Sequence, residues 1–158
     1  MVNLVPMTDL DYQAWLEGAV REYADDKVKS GNWSEAGALE RSAAEFKNYL
    51  PNGPATQNAY MYSVQDEVLG VKVGMIWFTV FTDKLEPYAF ILDLRIFDEY
   101  QRKGYGFQAM LAVETKVREI GLDTISLHVF GHNQAARALY EKIGYEITNV
   151  NMTKKLKT

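Results

Sequence analysis

The stretch Gln101-Arg-Lys-Gly104-Tyr-Gly106 has the residue types of a site for a phosphorylated ligand. It follows an apolar, strand-like segment that ends near Phe97, and a helical pattern follows it. Glycine adopts positive φ without a Cβ penalty, so the loop can turn several backbone N–H groups toward one point. The first N–H groups of a helix lack internal partners and carry partial positive charge. Arg102 and Lys103 add two full charges, and together these features favour phosphate binding.

The loop differs from two common phosphate-binding motifs. It has neither the Gly-x-x-x-x-Gly-Lys-Ser/Thr pattern of a P-loop nor the Gly-x-Gly-x-x-Gly pattern of a dinucleotide fold. A plain link between a strand and a helix is an alternative explanation for the loop taken alone. A second motif is therefore needed to decide between the two.

That second motif extends from Ser126 to Glu146. It has Asn133 at a predicted helix start, Ala-x-x-Leu-Tyr ending at Tyr140 on the helix, and Gly144 followed by Tyr and Glu. In this order, the two motifs resemble those of the GCN5-related N-acetyltransferase (GNAT) superfamily. The loop is similar to its Gln/Arg-x-x-Gly-x-Gly/Ala signature, and the resemblance extends from Val71 to the C-terminus.

The resemblance implies a central mixed sheet that splays between two parallel strands, here ending near Phe97 and Phe130. Acetyl-CoA is expected to enter that gap. The backbone amide of Leu94 matches the donor to the developing oxyanion. The implied catalytic residues are Tyr140, Asp93 and Leu94. The implied cofactor-binding residues are Leu94, Ile96, Gln101, Arg102, Lys103, Gly104, Tyr105, Gly106, Phe107, Asn133 and Tyr140.

Asp93 is the leading candidate for a general base, because it is an acid in an otherwise apolar strand. An amine with a pKa near 10.4 is mostly protonated at neutral pH, and removing its proton costs roughly 4.6 kcal/mol. A base or a desolvated site is therefore needed. The alternative is that Asp93 pairs with Arg95, two residues further on the same strand face. The sequence leaves both open.

Tyr140 matches a tyrosine placed near the thioester sulfur. A free tyrosine has a pKa near 10 and a thiol one near 8.5, so proton transfer to the thiolate is uphill by about 2 kcal/mol. A hydrogen bond to the thiolate is the expected role, and a core tyrosine is the alternative. His128 and His132 span a strand end and a loop, so no metal site is expected, and neither has partners for nucleophilic catalysis.

These residues are positioned by an alternation of helical and strand patterns. Asn32 to Glu35 has the spacing of a capping box for a second helix, Gly74 suggests a bulge, and the hairpin acids Asp66 and Glu67 are expected to be exposed. The predicted helices are Thr8 or Asp9 to about Ser30, Asn32 to about Leu50, one from the Gly-rich loop to Gly121, and one from Asn133 to Gly144. The predicted strands are Asn3–Pro6, Tyr60–Val64, Val71–Phe81, Tyr88–Phe97, Thr124–Phe130 and Tyr145–Leu156.

This order predicts an α+β fold with about four helices around one mixed sheet. Residues 1–158 are expected to form a single domain of the GNAT type. Residues 1–55 would supply the acceptor side, and residues 71–158 the cofactor-binding core. Aromatic residues of the two N-terminal helices and of the hairpin, among them Trp15, Tyr23, Trp33 and Trp77, are candidates for an acceptor pocket or for core packing. Glu22, Asp25 or Asp26 are candidates for binding a cationic group there.

Composition limits the partners. The 158 residues include no cysteine, which excludes disulfides, thiolate metal sites and a cysteine nucleophile. A net charge of −4 is unlike the basic face of a nucleic-acid binder. No apolar run approaches the roughly 20 residues of a membrane span, and no signal pattern opens the chain. We therefore expect no nucleic acid, no membrane and a cytoplasmic location.

The predicted function is direct transfer of an acetyl group from acetyl-CoA to a primary amine of a small molecule or peptide, without a metal. Direct attack is favoured because no cysteine can carry an acyl group. The alternative function is a non-catalytic CoA-binding sensor or interaction module. The resemblance to the GNAT superfamily also suggests a homodimer. The sequence alone identifies neither the acceptor nor the acyl-chain preference.

Overall fold

The computed structural model describes residues 1–157. In that range, strands and helices follow one another in the order of an α+β fold. The strands are β1 (Val2–Pro6), β2 (Ala59–Asp66), β3 (Lys72–Phe81), β4 (Tyr88–Ile96) and β5 (Ile125–Leu127). The α-helices are α1 (Asp9–Lys29), α2 (Ala38–Tyr49), α3 (Tyr105–Glu119) and α4 (Gln134–Lys142), and short 3₁₀ turns occupy Gly53–Ala55 and Asp98–Tyr100.

The strands form one mixed sheet in the order β1-β2-β3-β4-β5. β1 to β4 are antiparallel neighbours, whereas β4 and β5 are parallel. One apolar cluster lies between the sheet and α1, where Trp15 packs with Trp77. A second lies between the sheet and α3, where Phe78 and Met110 are fully buried. The predicted fold, with a mixed sheet and about four helices, is confirmed.

A bulge in β4 lies where the sheet opens. Trp77 of β3 pairs with Asp93, but the next residue, Phe78, pairs with Ile91, so Leu92 is the extra residue. Bulges bend a strand and increase its twist. β5 pairs with β4 only as far as Ile91, whereas β4 continues to Ile96. The two parallel strands therefore separate beyond the bulge, and within residues 1–157 one edge of β4 is left unpaired there.

The predicted bulge near Gly74 is present, because Val64 pairs with Gly74 whereas Gln65 pairs with Lys72. A Cβ atom at Gly74 would lie 2.1 Å from the carbonyl oxygen of Arg95. This close approach of β3 to β4 admits only glycine. Glycine at position 74 is therefore explained both by the bulge and by the close contact with the Arg95 carbonyl.

The predicted start of the second helix is wrong. The backbone N–H groups of Asn32 and Trp33 both donate to the carbonyl of Lys27, so these residues complete the C-terminal turn of α1. α2 begins only at Ala38, after Gly37 in the left-handed conformation with φ of 76°. No side chain caps α2, so the capping box does not form. The capping-box pattern of Asn32 to Glu35 does not form because the backbone of Asn32 and Trp33 makes the hydrogen bonds that end α1.

Of the two strands predicted after β4, one is shorter than expected and the other is absent from residues 145–157. β5 covers only Ile125–Leu127, and none of residues 145–157 is in a strand. Ile147, Val150 and Met152 are all exposed, so no face of this segment is buried. Strand preference depends on packing against a partner, and the described segment has none.

Asp66 is also unlike its prediction, because it is buried rather than exposed. Its carboxylate accepts hydrogen bonds from the Tyr105 hydroxyl at 2.6 Å and from the backbone N–H groups of Val68 and Leu69. These bonds lower the pKa of Asp66, with the Tyr105 bond as the largest cause. Glu67 is exposed, as expected. Across residues 1–157, no helix has the length and apolar character that crossing a membrane requires.

Candidate active site

A cleft of about 390 Å³ opens where β4 and β5 separate. One wall comes from α1 and α2, the floor from β3 and β4, and the other wall from β5 and α4. The cleft is lined by Ala19, Glu22, Tyr23, Asp26, Lys27, Glu45, Phe46, Tyr49, Trp77, Phe90, Ile91, Leu92, Asp93, Leu94, Arg95, Leu127, His128, Val129, Phe130, Asn133, Ala136 and Tyr140. It therefore joins the N-terminal helices to the segment that carries both sequence motifs.

The unpaired edge of β4 presents backbone amides to this opening. Phe97 donates its N–H to Val73 on β3, so its amide points away from the gap. Amide directions alternate along a strand, and the amides of Ile96 and Leu94 therefore point toward the gap. The carbonyl of Ile96 also points away from β3, and it accepts a hydrogen bond from the Gln101 side chain at 3.0 Å. Leu94 and Ile96 thus offer unused donors along one line.

The Gly-rich loop forms a turn of unpaired donors between β4 and α3. Arg102 has φ of 63° and Gly104 has φ of 83°, so two left-handed residues flank Lys103. Among hydrogen bonds within residues 1–157, none is donated by the backbone N–H groups of residues 102–107. Such curved runs of free N–H groups are anion sites. The left-handed conformation of Arg102 destabilises the folded chain by roughly 1–2 kcal/mol.

Two side chains of the loop are used within the protein. Gln101 bridges the end of β4 and Asp98, with which its amide nitrogen makes a 3.3 Å bond. The ring of Tyr105 is buried, and its hydroxyl donates to Asp66. The Tyr105 hydroxyl and the amide nitrogen of Gln101 are therefore already paired, although the backbone amide of Tyr105 belongs to the unpaired run. Gly106 lies where α3 faces α4, and a Cβ there would make an ordinary contact with Leu139 at 3.5 Å.

Asp93 lies in the cleft within a network of side chains. Its Oδ2 atom accepts one hydrogen bond from Trp15 Nε1 at 2.9 Å and one from Arg95 Nε at 2.8 Å. Arg95 also pairs with Glu22 on α1. Burial opposes the charge of Arg95, but the two carboxylates outweigh it and raise its pKa. The pairing of Asp93 with Arg95, which the sequence offered as the alternative to a general base, is present, and Oδ1 has no hydrogen-bond partner in the described chain.

Tyr140 and Asn133 lie on the opposite wall. Burial raises the pKa of Tyr140, and the negative charge of Asp93 adds to this effect. Asn133 caps α4 by accepting the N–H of Ala136 at 3.3 Å, as predicted, which leaves its side-chain NH₂ group for a ligand. The structure therefore brings Asp93, Leu94, Asn133 and Tyr140 to one cleft.

Of the two histidines, His128 lines the same cleft, whereas His132 is not among the lining residues. His132 lies 3.6 Å from Asp26, and its ring stacks on Phe130. Burial lowers the pKa of His128, and the charge of Lys27 lowers it further. Over residues 1–157, no group of three or more His, Cys, Asp or Glu side chains has the arrangement of a metal site.

Sequence reasoning missed three features of the cleft. It placed Trp15 among pocket or core aromatics, whereas the indole N–H contacts Asp93. It overlooked Glu45, which lines the cleft on α2 and has no ion-pair partner among the described residues. The pKa of Tyr23 is raised to about 12, mainly by burial of its hydroxyl and secondly by the negative charge of Glu45. The bulge at Leu92 depends on the register of two strands, so no single segment signals it.

Comparisons with known proteins agree with the fold and with the family that the motifs resemble. Residues 16–145 match the acetyltransferase (GNAT) family. The chain is 36% identical over 155 residues to the uncharacterized N-acetyltransferase YycN of Bacillus subtilis (strain 168), covering 98% of this chain and 99% of that protein. It is 33% identical over 156 residues to the uncharacterized N-acetyltransferase YdgE of the same organism, covering 98% of each. The crystal structure of YycN superposes with a TM-score of 0.91 at 34% identity and covers 100% of both chains.

Proposed function

This chain belongs to the acetyltransferase (GNAT) family, and from that premise we propose that it transfers the acetyl group of acetyl-CoA directly to a primary amine of a small molecule or peptide. The observation that carries the proposal is the continuity of unpaired donors. Free amides at Leu94 and Ile96 lead along β4 to the free amides of residues 102–107. A ligand with a polar arm and a phosphate group at its end matches this arrangement.

The residues present fit acetyl-CoA. The run of amides at 102–107 has the curvature and charge for a pyrophosphate, and Arg102 and Lys103 add positive charge. The edge amide of Ile96 suits the amide-containing arm, as does the side-chain NH₂ group of Asn133. Gln101 and Tyr105 would act through the backbone and by shaping the loop, because their side chains have partners within the protein.

In the proposed mechanism, acetyl-CoA supplies an acetyl group activated as a thioester. The backbone N–H of Leu94 donates to the acetyl carbonyl oxygen and stabilises the negative charge that develops there. The Oδ1 atom of Asp93 accepts a proton from the acceptor amine, because Oδ2 is already occupied by Trp15 and Arg95. The free amine then attacks the acetyl carbon directly, since the sequence has no cysteine to form an acyl-enzyme. As the C–N bond forms, the C–S bond breaks, the thiolate departs, and the nitrogen releases its second proton to solvent.

Tyr140 donates a hydrogen bond to the sulfur as it leaves. Because burial raises its pKa above the ordinary value, the phenol is a weaker acid than a free tyrosine. Full proton transfer to a thiolate is then even less favourable than it would be from an unperturbed tyrosine. Hydrogen bonding is therefore the role that we assign to Tyr140.

The acceptor side lies within residues 1–55 and the part of β3 that faces them. Four carboxylates line the cleft, from Glu22, Asp26, Glu45 and Asp93, against the two cations Lys27 and Arg95. Tyr23, Phe46, Tyr49 and Trp77 supply aromatic rings to the same wall. An excess of negative charge with aromatic surface favours a cationic acceptor.

The test is calorimetric titration with acetyl-CoA, followed by a thiol-release assay across monoamines, diamines, amino acids and basic peptides. We expect saturable binding and thiol release that depends on an amine. Binding without release from any acceptor would favour the sensor function instead. Absence of binding would contradict the assignment of the loop and of the β4 edge.

A further inference from the structure

We propose that Trp15 is a positioning residue for acetyl transfer, because its indole N–H orients the carboxylate of Asp93 toward the acceptor amine. This inference rests on the proposed function and on Asp93 as the base. It adds a residue from α1 to a site whose other groups come from β4 and α4.

The contact is direct and well defined. Trp15 Nε1 donates to Asp93 Oδ2 at 2.9 Å, across 78 positions of the sequence. The Trp15 side chain is 8% exposed, and Asp93 is 20% exposed at the cleft. A buried indole N–H is a donor only and needs an acceptor. Asp93 supplies that acceptor with one oxygen and keeps the other free.

The indole is fixed by its neighbours. Its ring lies 5.7 Å from Tyr12, 5.9 Å from Phe46 and 5.6 Å from Trp77, measured between centroids. A phenylalanine at this position would supply the apolar contacts alone. The neighbouring indole of Trp77 instead donates to Thr79, two residues along its own strand. Trp15 is thus the buried indole of this cluster whose N–H points to the cleft.

The position of this donor determines how Asp93 can pair with Arg95. Arginine and a carboxylate readily form a two-pronged pair that uses both carboxylate oxygens. Trp15 and Arg95 instead share Oδ2, which leaves Oδ1 for the acceptor. Without the indole N–H, the carboxylate would be free to turn and pair with Arg95 through both oxygens. Proton transfer needs a positioned acceptor, so turnover would fall.

The experiment compares Trp15→Phe with Trp33→Phe, each alone and with Asp93→Asn. Trp33 is a matched control because it is similarly buried, in a separate cluster with Ala24 and Ala38. We expect Trp15→Phe to lower kcat about ten-fold, the size of one hydrogen bond to a charged group, with unchanged affinity for acetyl-CoA. In the Asp93→Asn background, Trp15→Phe should lower kcat no further. Trp33 packs on Tyr23 and makes no hydrogen bond to Asp93, so any change in kcat that Trp33→Phe causes should be the same in both backgrounds.

A second readout does not depend on activity. The chain has three tryptophans, so Trp33→Phe and Trp77→Phe assign the indole N–H signal of Trp15 in an NMR spectrum of the labelled protein. Asp93→Asn should shift that signal while it leaves the Trp33 signal in place. An unshifted Trp15 signal would overturn the inference even if Trp15→Phe fails to fold.

The outcomes separate the two proposals. If the wild-type chain transfers acetyl groups but Trp15→Phe behaves like Trp33→Phe, the inference alone fails. Equal losses from Trp15→Phe in both backgrounds would point to packing and would also overturn it. If the wild-type chain shows no transfer to any amine, the proposed function fails and the inference fails with it.

Discussion

Substitution of Gly104 tests the proposed phosphate cradle. The space beside Gly104 can hold a side chain, whereas a negative charge there would repel a bound phosphate. Gly104 has φ of 83°, and a Cβ atom there would meet only the Gln108 side chain at 3.9 Å. Asn and Asp are the side chains that best tolerate this left-handed conformation. Gly104→Asn and Gly104→Asp therefore impose similar strain and similar volume, and they differ by one negative charge.

The magnitude follows from that charge. A carboxylate about 6 Å from two phosphate charges is repelled by between about 1.4 kcal/mol in bulk water and about 5.5 kcal/mol at an effective dielectric constant of 20. Since about 1.4 kcal/mol is ten-fold in affinity, Gly104→Asp should bind acetyl-CoA at least ten-fold more weakly than Gly104→Asn. The Asn variant should lose only what the shared strain and the crowding of the loop cause.

The assay is calorimetric titration of the wild-type chain and both variants with acetyl-CoA, repeated with added salt. Screening should bring the Asp and Asn variants closer together as the salt concentration rises. Circular dichroism and thermal unfolding verify that both variants fold. Equal affinity of the two folded variants would remove the loop from the proposed phosphate site.

Three further predictions follow from side chains of the structure. Asp93→Asn should lower kcat by about 10²–10⁴ with unchanged acetyl-CoA affinity, and the loss should shrink as pH approaches the pKa of the amine; unaffected turnover would make Asp93 structural. Glu45→Gln should raise KM for a cationic amine about five-fold, as expected for an ion pair of ~1 kcal/mol, whereas Glu40→Gln, exposed on the same helix, should not; equal KM values would exclude Glu45 from the acceptor site. The lowered pKa of Asp66 means that its stabilisation is complete above the unfolded value of about 3.9 and is lost as pH falls through the folded value. Melting temperatures measured against pH should therefore decline less steeply below pH 4 for Asp66→Asn than for the wild-type chain; equal slopes would contradict this linkage.

The parts of the fold that could be predicted lie on continuous segments. Strand β4, the Gly-rich loop and α3 follow one another, so local patterns of apolar residues and glycines indicate all three. Asn133 as the cap of α4 is a local signal of the same kind. The predicted start of α2 was wrong although its signal was local. The first residues of the expected capping box instead make the hydrogen bonds that end α1.

The parts that could not be predicted depend on partners distant in the sequence. The bulge at Leu92 arises from the pairing of β3 with β4, and the buried state of Asp66 from the Tyr105 hydroxyl. The segment after α4 has strand-like residues but lacks a paired neighbour in the described structure. Propensity alone cannot supply such a neighbour.

The contacts of Trp15 and Glu22 give α1 a role on both sides of the proposed reaction. The same helix lines the proposed acceptor end of the cleft and, through these two side chains, contacts the Asp93–Arg95 pair on β4. A shift of α1 that admits a different amine would therefore also move Asp93, the carboxylate that we propose as the acceptor of its proton. For this reason, changes on the cleft-facing side of α1 should alter kcat together with KM, whereas changes at Glu45 on α2, which makes no ion pair to this network in the described chain, should alter KM alone.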